Sequence, residues 1–199
     1  MGVAIAIREI VNEGSIYRRE RAIGLSPTAY LASKVTIFVI IDLIQVTLFV
    51  YLSMWGLPRP VEPLIFAMEM LDIILAVWLV AVASTAFALL ASALVKTTEQ
   101  TTPIMVVSVM FQLVLSGALF AVHGSPVLEY LAFLDPARWG MAASAASVNL
   151  VNLPAEIADP IWLHRQEYWL QPAAILCAQI VLLLLATRLA LRRFEPGKE

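Results

Sequence analysis

The chain has 199 residues, 61% of them hydrophobic and 14% charged, with a mean hydropathy of +0.85. That balance excludes a water-soluble domain and leaves an integral membrane protein. A formal net charge of −2 and a pI near 5.7 exclude a global basic field, and with it nucleic acid as a partner, while the single cysteine, Cys177, excludes an intrachain disulfide or a multi-cysteine metal site.

The opening MGVAIAIREIV has an apolar stretch too short for a signal-peptide core, with no basic region before it and no small-residue cleavage site after it. Ala6 stands where a myristoylation motif needs Ser or Thr. The segment is expected to be the tail of a longer apolar run, as in a chain that starts inside a span. Next comes IYRRERAIGLSPTAYLASK, residues 16 to 34, with four consecutive charges from Arg18 to Arg21. Its punctuation predicts a helix from Ser15 to Ile23 stopped by Gly24. A second helix, capped by Ser26 with Pro27 in its first turn, then runs through Tyr30 and Lys34 into the membrane. Two helices therefore meet at an elbow. An anchor on anionic lipid needs only the charge; a docking element for a soluble partner would also account for Glu20 and for the stop and restart. The residues leave both open.

A span needs about 20 apolar residues, because about 30 Å of hydrocarbon is crossed at about 1.5 Å per residue. Four segments qualify, at about 35–55, 73–94, 104–122 and 169–187, with Trp55, Tyr168 and Trp169 at interface depth. A single helix from Leu64 to Leu94 would be about 46 Å long. LIFAMEMLD, which carries Glu69 and Asp72, is therefore expected as an amphipathic segment at the interface, leaving 73–94 free of charge. Asp42 and Gln45 share one face of the first span. An acid there must be paired or face a cavity, which leaves a hydrogen bond inside the bundle or a proton or substrate contact. Ser84, Ala88 and Ser92 form a small-residue stripe suited to close helix packing.

Even span number puts both termini on one side. With the termini inside, that side holds Arg8, Arg18, Arg19, Arg21, Lys34, Lys96, Arg188, Arg192, Arg193 and Lys198, against Arg59, Arg138 and Arg165 opposite. The bias predicts a multi-pass protein of the plasma (inner) membrane with both termini cytoplasmic. Between the third and fourth spans, Ser125-Pro126 and Asp135-Pro136 each start an apolar helix too short to cross, so region 123–168 is expected to carry re-entrant or interfacial helices on the outer face. The fold class expected is thus all-α: a polytopic membrane helix bundle, with residues 1–34 as cytoplasmic connecting helices and 35–199 as the transmembrane bundle. His123 and His164 are isolated, with no second metal ligand at useful spacing, and are expected to be solvent or interface residues. No protease or esterase motif occurs, so no catalytic residue is assigned.

Three stretches in order, REIVNEGSIYRRERAIGLSPTAYLASK, PIMVVSVMFQLVLSGALF and YLAFLDPARWGMAASAASVNL, resemble the membrane (permease) domain of ABC exporters of the ABCG-like, type-2 family, over residues 8 to 193. The resemblance extends to a bacterial subgroup with a forkhead-associated domain and an ATPase ahead of the membrane part. It implies six spans, of which these four would be the third to sixth. Tyr17, Arg18, Arg19, Glu20 and Arg21 would form the element that couples to a nucleotide-binding domain. Phe111, Gln112 and the run from Leu115 through Leu119 and Phe120 would line a central cavity and its outer gate, which Asp42 and Gln45 would join in the functional reading of that pair; the alternative is that they are ordinary span residues, with Gly117 as a kink or contact point. The family works as a dimer in the lipid bilayer, with ATP and Mg supplied through the ATPase domain. No G-x-x-x-x-G-K-[ST] loop occurs in this sequence, so the ATPase is expected upstream or on another chain, with no cofactor in this one. Expected cargo is amphipathic or lipid-like, moved outward. A membrane anchor that recruits a cytosolic partner without transporting remains the alternative. An ion-coupled carrier built on Asp42 lacks a second intramembrane charge.

Overall fold

The computed structural model describes residues 2–56, 64–66, 68, 70–119, 122, 126–150 and 159–194. Phe120, His123, Ser125, Arg59, Glu69 and Lys198, and the side chain of Arg193, lie outside the described residues. The helices are α1 (Gly2–Ala6), α2 (Glu9–Ala22), α3 (Pro27–Ser53), α4 (Leu71–Leu94), α5 (Thr101–Leu115), α6 (Pro126–Leu134), α7 (Pro136–Val148) and α8 (Glu167–Ala190). Short 3₁₀ turns cover Thr98–Gln100, Pro160–Trp162 and Leu191–Phe194, and there is no strand among the described residues. The all-helical membrane bundle expected from composition is what the chain forms.

Three of these helices, α3, α4 and α8, are long and apolar enough to cross a membrane. In their most apolar windows, 61% of α4 is buried within the chain, against 22% of α3 and 11% of α8. So α4 is packed by protein, and α3 and α8 leave most of their apolar surface for lipid or another polypeptide.

The third expected span differs from its prediction. As a helix it ends at Leu115 instead of 122, and its 15 residues rise only about 22 Å. Gly117 adopts φ +83, which a residue with a side chain rarely takes, and the Ser116 hydroxyl accepts the Ala118 N–H at 3.2 Å. Gly117 is therefore a helix stop.

Leu64–Leu94 differs too. Its described residues before Leu71 are not helical. The Asp72 carboxylate, buried at the start of α4, accepts the backbone N–H groups of Leu64, Ile65 and Phe66 at 2.9, 3.1 and 3.1 Å. The acid placed outside the span by sequence reasoning is a buried tie that folds the approaching chain onto its own helix end.

Contacts divide the chain into two compact units, and α3 runs unbroken through the expected boundary at 34/35. One unit draws on Met1–Asp42, Ala81–Ser108 and Gln179–Glu199. Its core includes Val3, Ile7, Ile10, Tyr17, Leu89 and Leu191. The small-residue stripe of α4 is buried here: Ser84, Ala88 and Ser92 are all inside, and the Ser92 hydroxyl accepts the Val11 N–H at 3.0 Å.

The other unit draws on Leu43–Val80 and Val109–Ala178. Here α6 and α7 start at their prolines as the sequence predicts, and Asp135 has the extended backbone of a helix-preceding residue. Trp139 ties the pair together: its indole N–H donates to the Phe133 carbonyl at 2.8 Å, and its ring meets Phe133 edge-on at 5.2 Å. One residue on, Gly140 lets α7 press against α4, because a Cβ there would run into the Val80 side chain. Gly140→Ala should cost about 1–3 kcal/mol by overpacking. Adding Val80→Ala should recover most of that loss, read as resistance to thermal unfolding in detergent. A double variant no more stable than Gly140→Ala would refute this contact.

Candidate functional site

The charged elbow is built by helix signals that work locally. At the end of α2, Leu25 N–H bonds the Glu20 carbonyl at 3.0 Å and Gly24 N–H bonds the Arg21 carbonyl at 3.2 Å. With Gly24 at φ +108, this is a Schellman stop. The Ser26 hydroxyl then accepts the Ala29 N–H at 3.1 Å and caps α3, whose first residue is Pro27. The observed α2 begins at Glu9, six residues before the predicted start.

That longer helix brings a second row of residues into play. Glu9, Glu13 and Tyr17 recur every four residues, and Tyr30 and Lys34 do the same on α3, so the two rows can face each other. Lys34 Nζ lies 2.6 Å from Glu9 Oε1 and 2.6 Å from Glu13 Oε1. The Tyr30 hydroxyl donates to Glu13 Oε2 at 2.8 Å, and the rings of Tyr17 and Tyr30 pack with centroids 4.6 Å apart. Burial works against the charge on Glu13, but the hydrogen bonds from Lys34 and Tyr30 outweigh it and hold its pKa below the ordinary carboxylate value. Sequence reasoning took Lys34 as one more flanking cation and missed this clamp; the matched four-residue spacings were the available signal.

Another side of α2 is tied to the connection between α4 and α5. Arg8 donates to the Thr102 hydroxyl at 3.0 Å and the Thr98 hydroxyl to Asn12 Oδ1 at 2.8 Å. Thus α2 holds both α3 and the start of α5.

The five residues assigned to coupling separate in this frame. Tyr17 is 1% exposed and packs on Tyr30, so it positions α2 and cannot itself meet a partner. Arg21 is half-buried and its Nη1 donates to the Leu25 carbonyl at 3.0 Å, bracing the stop. Arg18 lines a cleft together with Lys96. Arg19 and Glu20 are exposed, and with Ile16 (44% exposed) and Ile23 (88%) they make a mixed apolar and charged outward row.

Residues assigned to the cavity and gate are less gathered. Asp42 is fully buried and its Oδ2 accepts the Thr85 hydroxyl at 2.7 Å, the interhelical bond of the packing alternative, while its Oδ1 has no hydrogen-bond partner among the described residues. Gln45 and Gln112 are half-buried; Phe111 and Leu119 are 55% and 64% exposed.

A second buried charge pair was not anticipated. Arg138 donates to Asp159, both nine-tenths buried or more, and Asp159 Oδ1 accepts the Ile161 N–H at 3.2 Å. A Cβ on Gly117 would strike Arg138 Nη1, so this guanidinium sits directly against the stop that ends α5. Sequence reasoning counted Arg138 only as an outer cation. His164, expected to be isolated, donates from Nδ1 to the Ala146 carbonyl at 2.7 Å. Among the described residues no cluster of His, Cys, Asp and Glu could hold a metal ion.

A model of the ABC-2 type transporter family matches residues 3–148, which takes in the elbow, α5 and the paired helices α6 and α7. The chain belongs to the ABC-2 type transporter family. It is also similar to the ABC transporter ATP-binding/permease protein Rv1747 of Mycobacterium tuberculosis, with 37% identity over 186 residues. That match covers 92% of this chain and 22% of the relative, so the chain spans about a fifth of the relative's length. In this ABC-2 type chain the elbow clamp joins residues 25 and 21 positions apart in sequence, Lys34 with Glu9 and with Glu13.

Two consequences can be measured. Lys34→Met leaves two carboxylates facing each other without their shared cation. It should lower stability by about 2–4 kcal/mol, more than Glu9→Gln or Glu13→Gln alone; unfolding in detergent reads this, and equal losses for all three would contradict a shared clamp. The second concerns Asp135, whose carboxyl burial pushes up to about 6 against the weaker pull of the Ala137 amide. A raised folded pKa means that the folded state keeps a proton the unfolded chain has released, so stability falls as pH rises from about 4 to about 6. Asp135→Asn should flatten that slope and gain on the order of 2 kcal/mol at neutral pH. Melting temperatures taken across this range check it, and a variant with the parent's slope would refute it.

Proposed function

We propose that the chain is the permease part of an ATP-driven exporter, working as a dimer and driven by a nucleotide-binding domain through the outward row of α2. The observation that carries this reading is the sorting of the elbow's charges. Glu9, Glu13, Arg21 and Lys34 are engaged within the chain, while Arg19 and Glu20 stand exposed between Ile16 and Ile23. Paired signs flanked by apolar side chains suit a protein partner, because charge-assisted hydrogen bonds hold orientation and apolar contacts supply burial.

The proposed cycle follows from the ties. ATP, with Mg, closes the nucleotide-binding domains in the cytoplasm, and the partner's motion is delivered to α2. Lys34 passes it to α3, and the bonds to Thr98 and Thr102 pass it to the start of α5. Exposed apolar residues on α5, such as Met110, Phe111 and Val114, would face the second copy across the cavity, with Leu119 at its outer end. Walls of this kind suit an amphipathic or lipid-like cargo taken from the inner leaflet or cytoplasm. The termini then lie on the cytoplasmic side, in keeping with the distribution of Lys and Arg.

Arg19→Glu in the intact transporter should reduce cargo-stimulated ATP hydrolysis about tenfold or more while leaving membrane insertion unchanged. In the same proteoliposomes a fluorescent phospholipid analogue should move and a hydrophilic sugar should not. Stimulated hydrolysis at the parent level would return the outward row to a lipid anchor, and transport of the sugar alone would exclude a lipid-like cargo.

A further inference from the structure

We propose that the cleft between α2 and the end of α4 is a binding site for the phosphate of an anionic phospholipid headgroup, separate from the docking row. The cleft is partly open and has a volume of about 460 Å³, within the range of small-ligand sites. Val11, Gly14, Ser15 and Arg18 form its α2 side, at the i, i+3, i+4, i+7 spacing of one helix face. Lys96 and Val95 close it from the segment that follows α4.

The chemistry of the lining selects an anion. Two cations come from different elements, the Ser15 hydroxyl can donate, and no carboxylate is among the described lining residues. A guanidinium and an ammonium together match a phosphodiester, one by its planar fork and the other as a point charge. The remaining wall, Val11 and Val95 with Ala93, is apolar and suits the glycerol and upper acyl carbons better than a free inorganic ion.

Position argues for the same source. Lys96 follows the last residue of α4, Leu94, by two positions, and Leu94 is half exposed on a helix long and apolar enough to span the membrane. The cleft therefore lies where hydrocarbon gives way to headgroups, the depth at which Lys and Arg attract anionic lipid. A phosphate held there would bridge α2 to the end of α4 beside the direct bond from Val11 N–H to Ser92. This inference needs only the membrane helix α4 and is independent of any transported cargo.

The test is lipid retention by the intact transporter, purified in mild detergent after exposure to an equal mixture of phosphatidylglycerol and phosphatidylcholine and weighed by native mass spectrometry. The wild type should retain phosphatidylglycerol in preference to phosphatidylcholine. Arg18→Ala and Lys96→Ala should each lower that retention about tenfold. Arg18→Lys and Lys96→Arg, which keep the charge and guard against misfolding, should retain most of it, and Arg165→Ala, a cation that does not line the cleft, should retain all of it. Equal retention of both lipids, or alanine variants that match the wild type, would overturn the proposal. Displacement of phosphatidylglycerol by millimolar inorganic phosphate would reassign the cleft to a soluble anion and overturn the lipid as its occupant.

Discussion

One ammonium group organises the elbow between α2 and α3. Lys34 reaches back from α3 to two carboxylates on α2, and Tyr30, one turn earlier, completes the coordination of Glu13. Each contact is a charge-assisted hydrogen bond in a half-buried setting, where solvent screens less than at an open surface. Losing the cation would leave two acids with unmet charge, so the three residues act as a unit. With Tyr17 packed on Tyr30 beside them, α2 and α3 are held by both polar and apolar contact across a Gly-Leu-Ser-Pro turn.

The other well-defined feature follows the same physics in the second unit. Arg138 and Asp159 are buried together, and the guanidinium lies against Gly117, where α5 stops. Asp159 also holds the 3₁₀ turn that carries Trp162. A buried ion pair adds little net stability, but removing one partner is costly, so it specifies a position more than it strengthens the fold. The end of α5 is thereby set by a residue 21 positions further along the chain. In one unit a half-buried cation ties two helices together, and in the other a buried cation lies against the end of a helix.

What could be read from sequence was local. Gly24, Ser26 and Pro27 announce the elbow because each acts on its own backbone, and Pro126 and Pro136 announce α6 and α7 for the same reason. Small residues at four-residue spacing in α4 foretold burial, which Ser84, Ala88 and Ser92 show. What escaped depends on distant partners. Asp72 looks like an interfacial acid until its carboxylate is seen to collect three backbone N–H groups. Gly117 looks like a kink within a span until Arg138 is placed beside it. Tyr17 stands in a run of charges that reads as one docking motif, yet helical rotation turns it inward and leaves Arg19 and Glu20 outside. The candidate site was thus legible as a segment, and its division of labour was not.

In the coupling proposed above, α2 and α3 move as one body because Lys34 clamps them. Pulsed electron–electron resonance between spin labels at Ile16 and Ile37, both exposed, in a Cys177→Ser background measures it directly. With and without ATP trapped on the intact transporter, the distance distribution should stay the same and narrow, and it should broaden when Lys34 is replaced by Met. A native distance that shifts with nucleotide would mean that the elbow bends, and the clamp would then not transmit the motion.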